Sequence, residues 1–212
     1  MIIAIDGPAG SGKSTIAKII AKELNLKYLD TGAMFRMVTY YLLINNIDVN
    51  NPNDVAHNLE NISINMENNN FFLNDVDVSM EIRSIDVTKN VALIASYKSV
   101  RDLLLKQQRE IALKADSILD GRDIGSVVFP NAEFKFYLDA SVEARAQRRF
   151  LQNKNQNSEQ SLKVIKKEIE QRDYSDMNRI ESPLVRAKDA QVIDSSELEI
   201  DDVVKIITKK IK

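Results

Sequence analysis

A glycine-rich stretch at residues 7–15, GPAGSGKST, leaves few possible folds for the N-terminal part of the chain. Gly7, Gly12, Lys13 and Ser14 satisfy the complete pattern G-x-x-x-x-G-K-[ST]. A short β-branched run precedes the loop, and apolar residues at the spacing of one helix face follow it. The sequence therefore predicts a strand, a phosphate-binding loop and a helix in succession.

Each residue type in this loop suits the binding of a nucleoside triphosphate. Glycines let the backbone N–H groups point inward, Lys13 reaches the outer phosphates, and the Ser14 hydroxyl can ligate Mg²⁺. The predicted ATP-binding residues are Gly7, Pro8, Ala9, Gly10, Ser11, Gly12, Lys13, Ser14 and Thr15. The alternative, a glycine turn with an unrelated lysine, is disfavoured by the length and the context of the match.

Composition narrows the possible partners and the compartment. The chain has 212 residues, enough for one main domain with an insertion. Its 29 basic and 31 acidic side chains give a net charge of −2, so we expect neither a nucleic-acid nor a membrane partner. Cysteine is absent, which excludes thiolate chemistry and fits a reducing compartment. Because the first apolar run stops at Asp6 and no long one follows, we expect a cytoplasmic enzyme.

Strand and helix patterns alternate along the chain, which is typical of an α/β protein with a parallel sheet covered on both faces. Further strands are predicted at residues 28–29, 117–119, 134–138 and 191–194, and helices at 33–45, 100–115, 162–179 and 198–212, with one more after Ser141. Ile62, Ile64 and Met66 alternate with polar residues, so we predict a small antiparallel hairpin within residues 50–83. Residues 153–158 are polar and predict a loop.

The loop alone leaves the class of phosphate-binding protein open, because switches, motors and small-molecule kinases share it. A GTPase switch normally carries an N-K-x-D motif, but Asn153-Lys154 continues as Asn155-Gln156. A large ATP-driven machine does not fit so short a chain. Of these classes of protein, a kinase that transfers a phosphoryl group to a small acceptor remains.

Arginines placed after predicted strands and on predicted helices indicate what that acceptor carries. Arg36, Arg101 and Arg122 suit a fixed site, whereas Arg172 and Arg179 share one helix face with Asp176 and suit a closing lid. Any one of them could be a solvated charge or a surface ion pair. Together they favour an acceptor that itself bears a phosphate, because several guanidinium groups can hold it close to ATP.

The sequence assigns no definite role to several other basic residues. Arg145, Arg148 and Arg149 lie on one side of the helix after Ser141 and either flank the nucleotide or cover a surface. His57 has no second imidazole or carboxylate cluster near it in sequence, so we assign it no role.

The chain resembles the bacterial cytidylate kinases, which belong to the nucleoside monophosphate kinases. The resemblance runs from residue 3 to about 194, and its motifs are IDGPAGSGKST, LDTGAMFR, EIR at 81–83, VR at 100–101, LDGRDIGSVVFP, LDAS at 138–141, RDYSDMNR at 172–179 and SPL from Ser182. DGRDIGSVVFP and R-D-x-x-D-x-x-R are more specific to this family than the phosphate loop is.

The resemblance implies a fold and a division of the chain. The fold is a P-loop NTPase-type three-layer α/β/α structure with a five-stranded parallel sheet, a small antiparallel insertion and a helical lid. The expected parts are a core at about 1–50, 96–150 and 180–212, a monophosphate-binding insertion at about 51–95 and a lid at about 151–179. We expect a monomer, because both the lid and the insertion have to move.

The resemblance also implies an activity and a set of site residues. The activity is transfer of the γ-phosphoryl group of ATP, with Mg²⁺, to CMP or dCMP. The implied CMP-binding residues are Thr31, Arg36, Arg101, Arg122, Asp123, Arg172, Asp176 and Arg179, and the catalytic residues are Lys13, Arg122, Arg172 and Arg179. Within this set, Arg101 and Asp123 are expected to contribute to cytosine recognition.

One departure from the family pattern affects specificity. Nine residues before Arg101, relatives usually have a serine that bonds the cytosine, and this chain has Ala92. Loss of that bond would weaken discrimination against UMP by about 1 kcal/mol. A kinase of another small acceptor and a non-catalytic nucleotide sensor remain as alternatives, which an assay of acceptor-dependent ADP release distinguishes.

Overall fold

The computed structural model describes residues 1–67, 70–155 and 160–211. The chain divides into two compact units. The first unit comprises Met1–Tyr28 and Ala112–Lys212, and the second comprises Leu29–Ile111.

The strands and helices of the described residues follow the alternation that the sequence predicts. The strands are β1 (Ile2–Asp6), β2 (Lys27–Asp30), β3 (Ile64–Glu67), β4 (Asn70–Leu73), β5 (Val76–Asp77), β6 (Ser117–Gly121), β7 (Phe134–Asp139) and β8 (Gln191–Asp194). The α-helices are α1 (Lys13–Glu23), α2 (Thr31–Ile44), α3 (Pro52–His57), α4 (Ile85–Ile94), α5 (Lys98–Ala112), α6 (Val142–Asn155), α7 (Leu162–Asn178) and α8 (Ile200–Ile211).

A five-stranded parallel sheet with the order β2-β6-β1-β7-β8 is the centre of the fold. Ile3 of β1 lies opposite Ile118 of β6 and Phe134 of β7. All five residues of β1 are buried, because helices cover both faces of the sheet. Ile20 of α1 and Ile207 of α8 pack into the same buried cluster as Ile3. This parallel sheet confirms the predicted fold class.

The second unit contains the predicted antiparallel insertion. β3, β4 and β5 form a three-stranded antiparallel sheet, in which Ile64 lies opposite Leu73. The short helix α3 and the helix α4 also belong to this unit, and the alternating pattern did not predict them. Ser84 caps α4 by accepting a hydrogen bond from the backbone N–H of Val87.

One predicted loop is wrong in part, and parts of three predicted segments fall outside the described residues. The loop predicted for residues 153–158 is wrong for 153–155, because α6 continues to Asn155, and 156–159 lie outside the described residues. Residues 68–69 of the predicted hairpin and Lys212 of the last predicted helix also lie outside them. The expected boundaries of core, insertion and lid stay predictions. Among the helices of the described ranges, none has the length and apolar character needed to cross a membrane.

Candidate active site

The phosphate loop joins β1 to α1 in the first unit. Its backbone comes so close to β7 that a Cβ on Gly7 would lie 2.1 Å from the backbone oxygen of Leu138, so only glycine fits there. Gly12 precedes α1 with a φ of 94°, in the left-handed region that favours glycine. The motif glycines are therefore required by a close approach and by a backbone conformation, as the pattern predicts.

Lys13 is buried inside this loop. Its Nζ donates hydrogen bonds to the backbone oxygen of Pro8 at 2.6 Å and to Oγ of Ser11 at 3.3 Å. Burial lowers the pKa of the ammonium well below its ordinary value, and the nearby charges of Arg122 and Arg172 lower it further. The ammonium therefore lies where negative phosphate oxygens would stabilise its charge.

Ser14 and Asp120 form a pair of oxygen groups beside the loop. The Ser14 hydroxyl donates to Oδ2 of Asp120 at 2.6 Å, and the Tyr28 hydroxyl donates to Oδ1 at 2.7 Å. Asp120 lies near the end of β6, opposite Ile5 of β1. A hydroxyl and a carboxylate are the hard oxygen ligands that Mg²⁺ prefers, so this pair fits such a cation.

Sequence reasoning gave Asp120 no role in metal binding. The signal was present, because an aspartate at the carboxyl end of the strand beside the phosphate-loop strand is where P-loop proteins place a metal-binding carboxylate. Only the sheet order, with β6 next to β1, makes that adjacency visible.

Asp6 anchors the segment that follows β6. Its carboxylate accepts hydrogen bonds from the backbone N–H groups of Ile124 at 2.8 Å and Gly125 at 2.7 Å. Burial raises the pKa of Asp6 to about 6, although these two hydrogen bonds oppose the shift. The end of β1 thus fixes the turn directly after Arg122 and Asp123.

Four of the predicted acceptor-side residues form one buried ion-pair network in the first unit. Nε of Arg122 lies 2.8 Å from Oδ2 of Asp176, and Nη1 of Arg179 lies 3.3 Å from Oδ1 of the same carboxylate. Nη2 of Arg179 lies 3.6 Å from Oδ1 of Asp123. Burial alone would raise the pKa of Asp176, but the charges of Arg122 and Arg172 outweigh it and lower that pKa.

Arg172 belongs to the same neighbourhood. Its charge acts on both Lys13 and Asp176, so it lies near both the phosphate loop and the network. The first unit therefore brings together the loop lysine and five of the predicted CMP-binding residues, which are Arg122, Asp123, Arg172, Asp176 and Arg179.

Two of the three arginines of α6 that the sequence left open have defined contacts. Arg145 is only 4% exposed and donates to the backbone oxygen of Ala9 in the phosphate loop at 2.9 Å. Arg148 donates to the backbone oxygen of Ser195. The surface interpretation is therefore wrong for Arg145.

The remaining predicted CMP-binding residues lie in the second unit. Thr31 is buried in the first turn of α2. Arg36 donates to Oγ1 of Thr88 at 3.0 Å, and Arg101 donates to the backbone oxygen of Ala95 at 2.7 Å. The guanidinium of Arg101 also lies 5.2 Å from the ring centre of Phe35, within range of a cation–π interaction.

A phosphate loop between a central parallel strand and a helix, with buried arginines beside its lysine, defines the class of P-loop kinases. Residues 3–212 match the family model described as cytidylate kinase. The chain belongs to the cytidylate kinase family.

Curated relatives named cytidylate kinase match this chain over nearly their whole length. A cytidylate kinase from Fusobacterium nucleatum is 50% identical over 212 residues, which cover 100% of this chain and 97% of the relative. Those from Clostridioides difficile and Alkaliphilus oremlandii are 47% and 48% identical, covering 100% and 99% of this chain and 98% and 97% of the relatives. These matches confirm the expected family and the enzyme class, a nucleoside monophosphate kinase.

Solved structures agree on the fold alone. An uncharacterized protein from Eubacterium ventriosum superposes with a TM-score of 0.54 at 14% identity, covering 100% of this chain and 98% of that one. Shikimate kinase from Acinetobacter baumannii, in complex with shikimate, superposes with a TM-score of 0.51 at 16% identity, covering 99% and 92%.

Proposed function

We propose that this chain transfers the γ-phosphoryl group of MgATP to CMP and dCMP, giving ADP with CDP or dCDP. The observation that carries the proposal is the buried network of Arg122, Asp123, Asp176 and Arg179 in the same unit as the phosphate loop. Family membership supports the choice of cytidine nucleotides as acceptors. We further propose that the enzyme works in the cytoplasm as a monomer.

Residues 7–15 form the donor end of the proposed site. Their backbone N–H groups and the N-terminus of α1 bind the β- and γ-phosphates of ATP, and Lys13 binds the outer oxygens. Because the pKa of the buried Lys13 is lowered, bound phosphate would favour its charged form, and this ties lysine charge to nucleotide binding.

The cofactor we propose is Mg²⁺. Ser14 would hold it together with the phosphates and water, and Asp120 would orient the Ser14 hydroxyl and contribute negative charge. The described residues contain no group of three or more His, Cys, Asp or Glu side chains that could hold a metal ion, so most ligands would come from phosphate and water. When bound, Mg²⁺ neutralises charge on the β- and γ-phosphates.

The acceptor end consists of Arg172 in α7, Arg179 directly after that helix and Arg122 directly after β6. Arg122, Arg172 and Arg179 would contact the phosphates and neutralise charge that develops during transfer. Asp176 orients Arg122 and Arg179, and by resemblance to the family it would also bind the ribose, while Asp123 would bind the cytosine. In the second unit, we propose that Thr31, Arg36 and Arg101 also bind CMP.

No general base is needed in this scheme. The attacking phosphate oxygen of CMP is already anionic, so alignment and charge neutralisation are the main contributions of the protein. A bond forms between that oxygen and the γ-phosphorus while the bond from the γ-phosphorus to the ADP oxygen breaks.

Substitution of Lys13 by alanine tests this scheme directly. The Lys13→Ala variant should keep its far-UV circular dichroism spectrum and its cooperative unfolding, but it should lose CMP-dependent ADP release. Near-normal turnover in that variant would contradict the proposed mechanism.

A further inference from the structure

Two buried charged residues, Arg145 of α6 and Asp173 of α7, have no part in the proposed chemistry. They are 4% and 8% exposed, and Nη1 of Arg145 lies 2.6 Å from Oδ2 of Asp173. Because the loss of hydration offsets much of the attraction in a buried ion pair, such a pair is weak evidence of stability. The contacts of this ion pair with the phosphate loop indicate its role.

Both polar backbone groups of Ala9 bind this pair. Nη1 of Arg145 donates to the backbone oxygen of Ala9 at 2.9 Å, and the backbone N–H of Ala9 donates to Oδ1 of Asp173 at 3.3 Å. Nε of Arg145 donates to the backbone oxygen of Ala140 at 2.9 Å, which fixes the guanidinium. The Cβ of Arg145 lies 3.5 Å from where a Cβ on Gly10 would stand. The middle of the phosphate loop therefore rests on the ion pair.

The same ion pair reaches the acceptor-side residues through α7. Asp173 follows Arg172 directly and precedes Asp176 by three residues, so all three lie on one turn of the helix. A contact that holds Ala9 against this turn fixes the distance between the donor phosphates and Arg172. Displacements of about 1 Å can cost a factor of about 100 in rate, so that distance matters for transfer.

We propose that Arg145 and Asp173 are positioning residues that hold the phosphate loop in register with the turn of α7 carrying Arg172 and Asp176. This inference rests on the proposed function. The register directs the γ-phosphoryl group to an oxygen of the CMP phosphate, giving ADP and CDP. When the register is lost, a water oxygen attacks the same phosphorus, giving ADP and inorganic phosphate.

The test measures how much CDP forms for each ATP consumed. Asp173→Asn keeps an acceptor for the Ala9 N–H but removes the ion pair, and Arg145→Lys keeps the charge but loses the guanidinium geometry. We expect kcat for CDP formation to fall about tenfold in each variant, with KM for CMP changed less than about threefold. The rate at which water hydrolyses ATP should not fall along with kcat for CDP formation. The ratio of CDP to ADP formed should therefore drop.

A second ion pair between the same helices provides a matched control. Lys166 of α7 pairs with Glu143 of α6 at an exposed position, so Glu143→Gln should keep the wild-type ratio of CDP to ADP. Partial unfolding lowers both products equally and leaves their ratio unchanged. An unchanged ratio in Asp173→Asn and Arg145→Lys would overturn the inference. Absence of CDP with the wild-type protein would instead overturn the proposed function.

Discussion

The Ser14 hydroxyl donates a hydrogen bond of 2.6 Å to Oδ2 of Asp120, which joins the first turn of α1 to the end of β6. If these oxygens support Mg²⁺, removing the charge of Asp120 should weaken the binding of the metal. We predict that Asp120→Asn raises the Mg²⁺ concentration needed for half-maximal ADP release by about tenfold or more. A titration of free Mg²⁺ at fixed ATP measures this.

A control for that titration is Asp202→Asn, which removes an exposed carboxylate on α8 that pairs only loosely with Lys205, at 3.8 Å. This variant should follow the wild-type curve. An unchanged Mg²⁺ dependence in Asp120→Asn would show that the carboxylate does not support the metal.

Stability should depend on Asp176, because it compensates the guanidinium groups of Arg122 and Arg179, whose side chains are only 19% and 5% exposed. Removing its carboxylate in Asp176→Ala leaves Arg122 without its 2.8 Å partner, and we predict that the free energy of unfolding falls by about 3 kcal/mol. Urea unfolding measures the change. Asp102→Asn, which breaks an exposed ion pair with Lys98, should change it by less than about 1 kcal/mol. Equal effects of the two variants would contradict the compensating role.

The pH dependence of stability should report on Asp6. Its pKa is about 6 in the folded protein and 3.8 as the ordinary value, so the folded state binds the proton more tightly. Its contribution to stability is therefore present at low pH and is lost as the pH rises through 6. From pH 4 to pH 7, we predict that wild type loses about 2 kcal/mol of unfolding free energy relative to Asp6→Asn. Parallel pH curves for the two proteins would disprove the raised pKa.

Much of the first unit was predictable because local chemistry determines it. The strand, glycine loop and helix at residues 2–23 follow from β-branched residues, a motif and an apolar helix face that adjoin in sequence. The strand at Gln191–Asp194 was predicted with the bounds that the structure has. The loop predicted at 153–155 was wrong because polar residues that are tolerated in loops also extend a helix, as in α6.

Part of the site was predictable from the placement of arginines and part from the family pattern. Arg122, Arg172 and Arg179, with Asp176, came from their positions after predicted strands and on one helix face, whereas Asp123 came from the family pattern. The structure places all five in one unit. Asp173 was missed, because an aspartate in a charged helix predicts a solvated surface. Its partner Arg145 lies 28 residues away on another helix, so only tertiary packing shows that both are buried.

Base specificity should respond to Ala92, which is partly buried on α4. If a serine hydroxyl at this position bonds cytosine as in relatives, Ala92→Ser should restore that bond. We predict that the ratio of kcat/KM for CMP to that for UMP rises about fivefold, which corresponds to about 1 kcal/mol. Steady-state kinetics with both acceptors measures the ratio, and an equal ratio in both proteins would show that residue 92 does not determine the choice of base.

We propose that the phosphate loop and the arginines beside it together transfer a phosphoryl group to a cytidine monophosphate. The decisive experiment is a coupled measurement of ADP release with MgATP and, in turn, CMP, dCMP, UMP, AMP and GMP. We predict the highest kcat/KM with CMP and dCMP, weaker turnover with UMP, and rates near background with AMP and GMP. If no monophosphate raises ADP release above background, the chain is not a nucleoside monophosphate kinase. If AMP or GMP is preferred, the proposed acceptor, a cytidine monophosphate, is wrong.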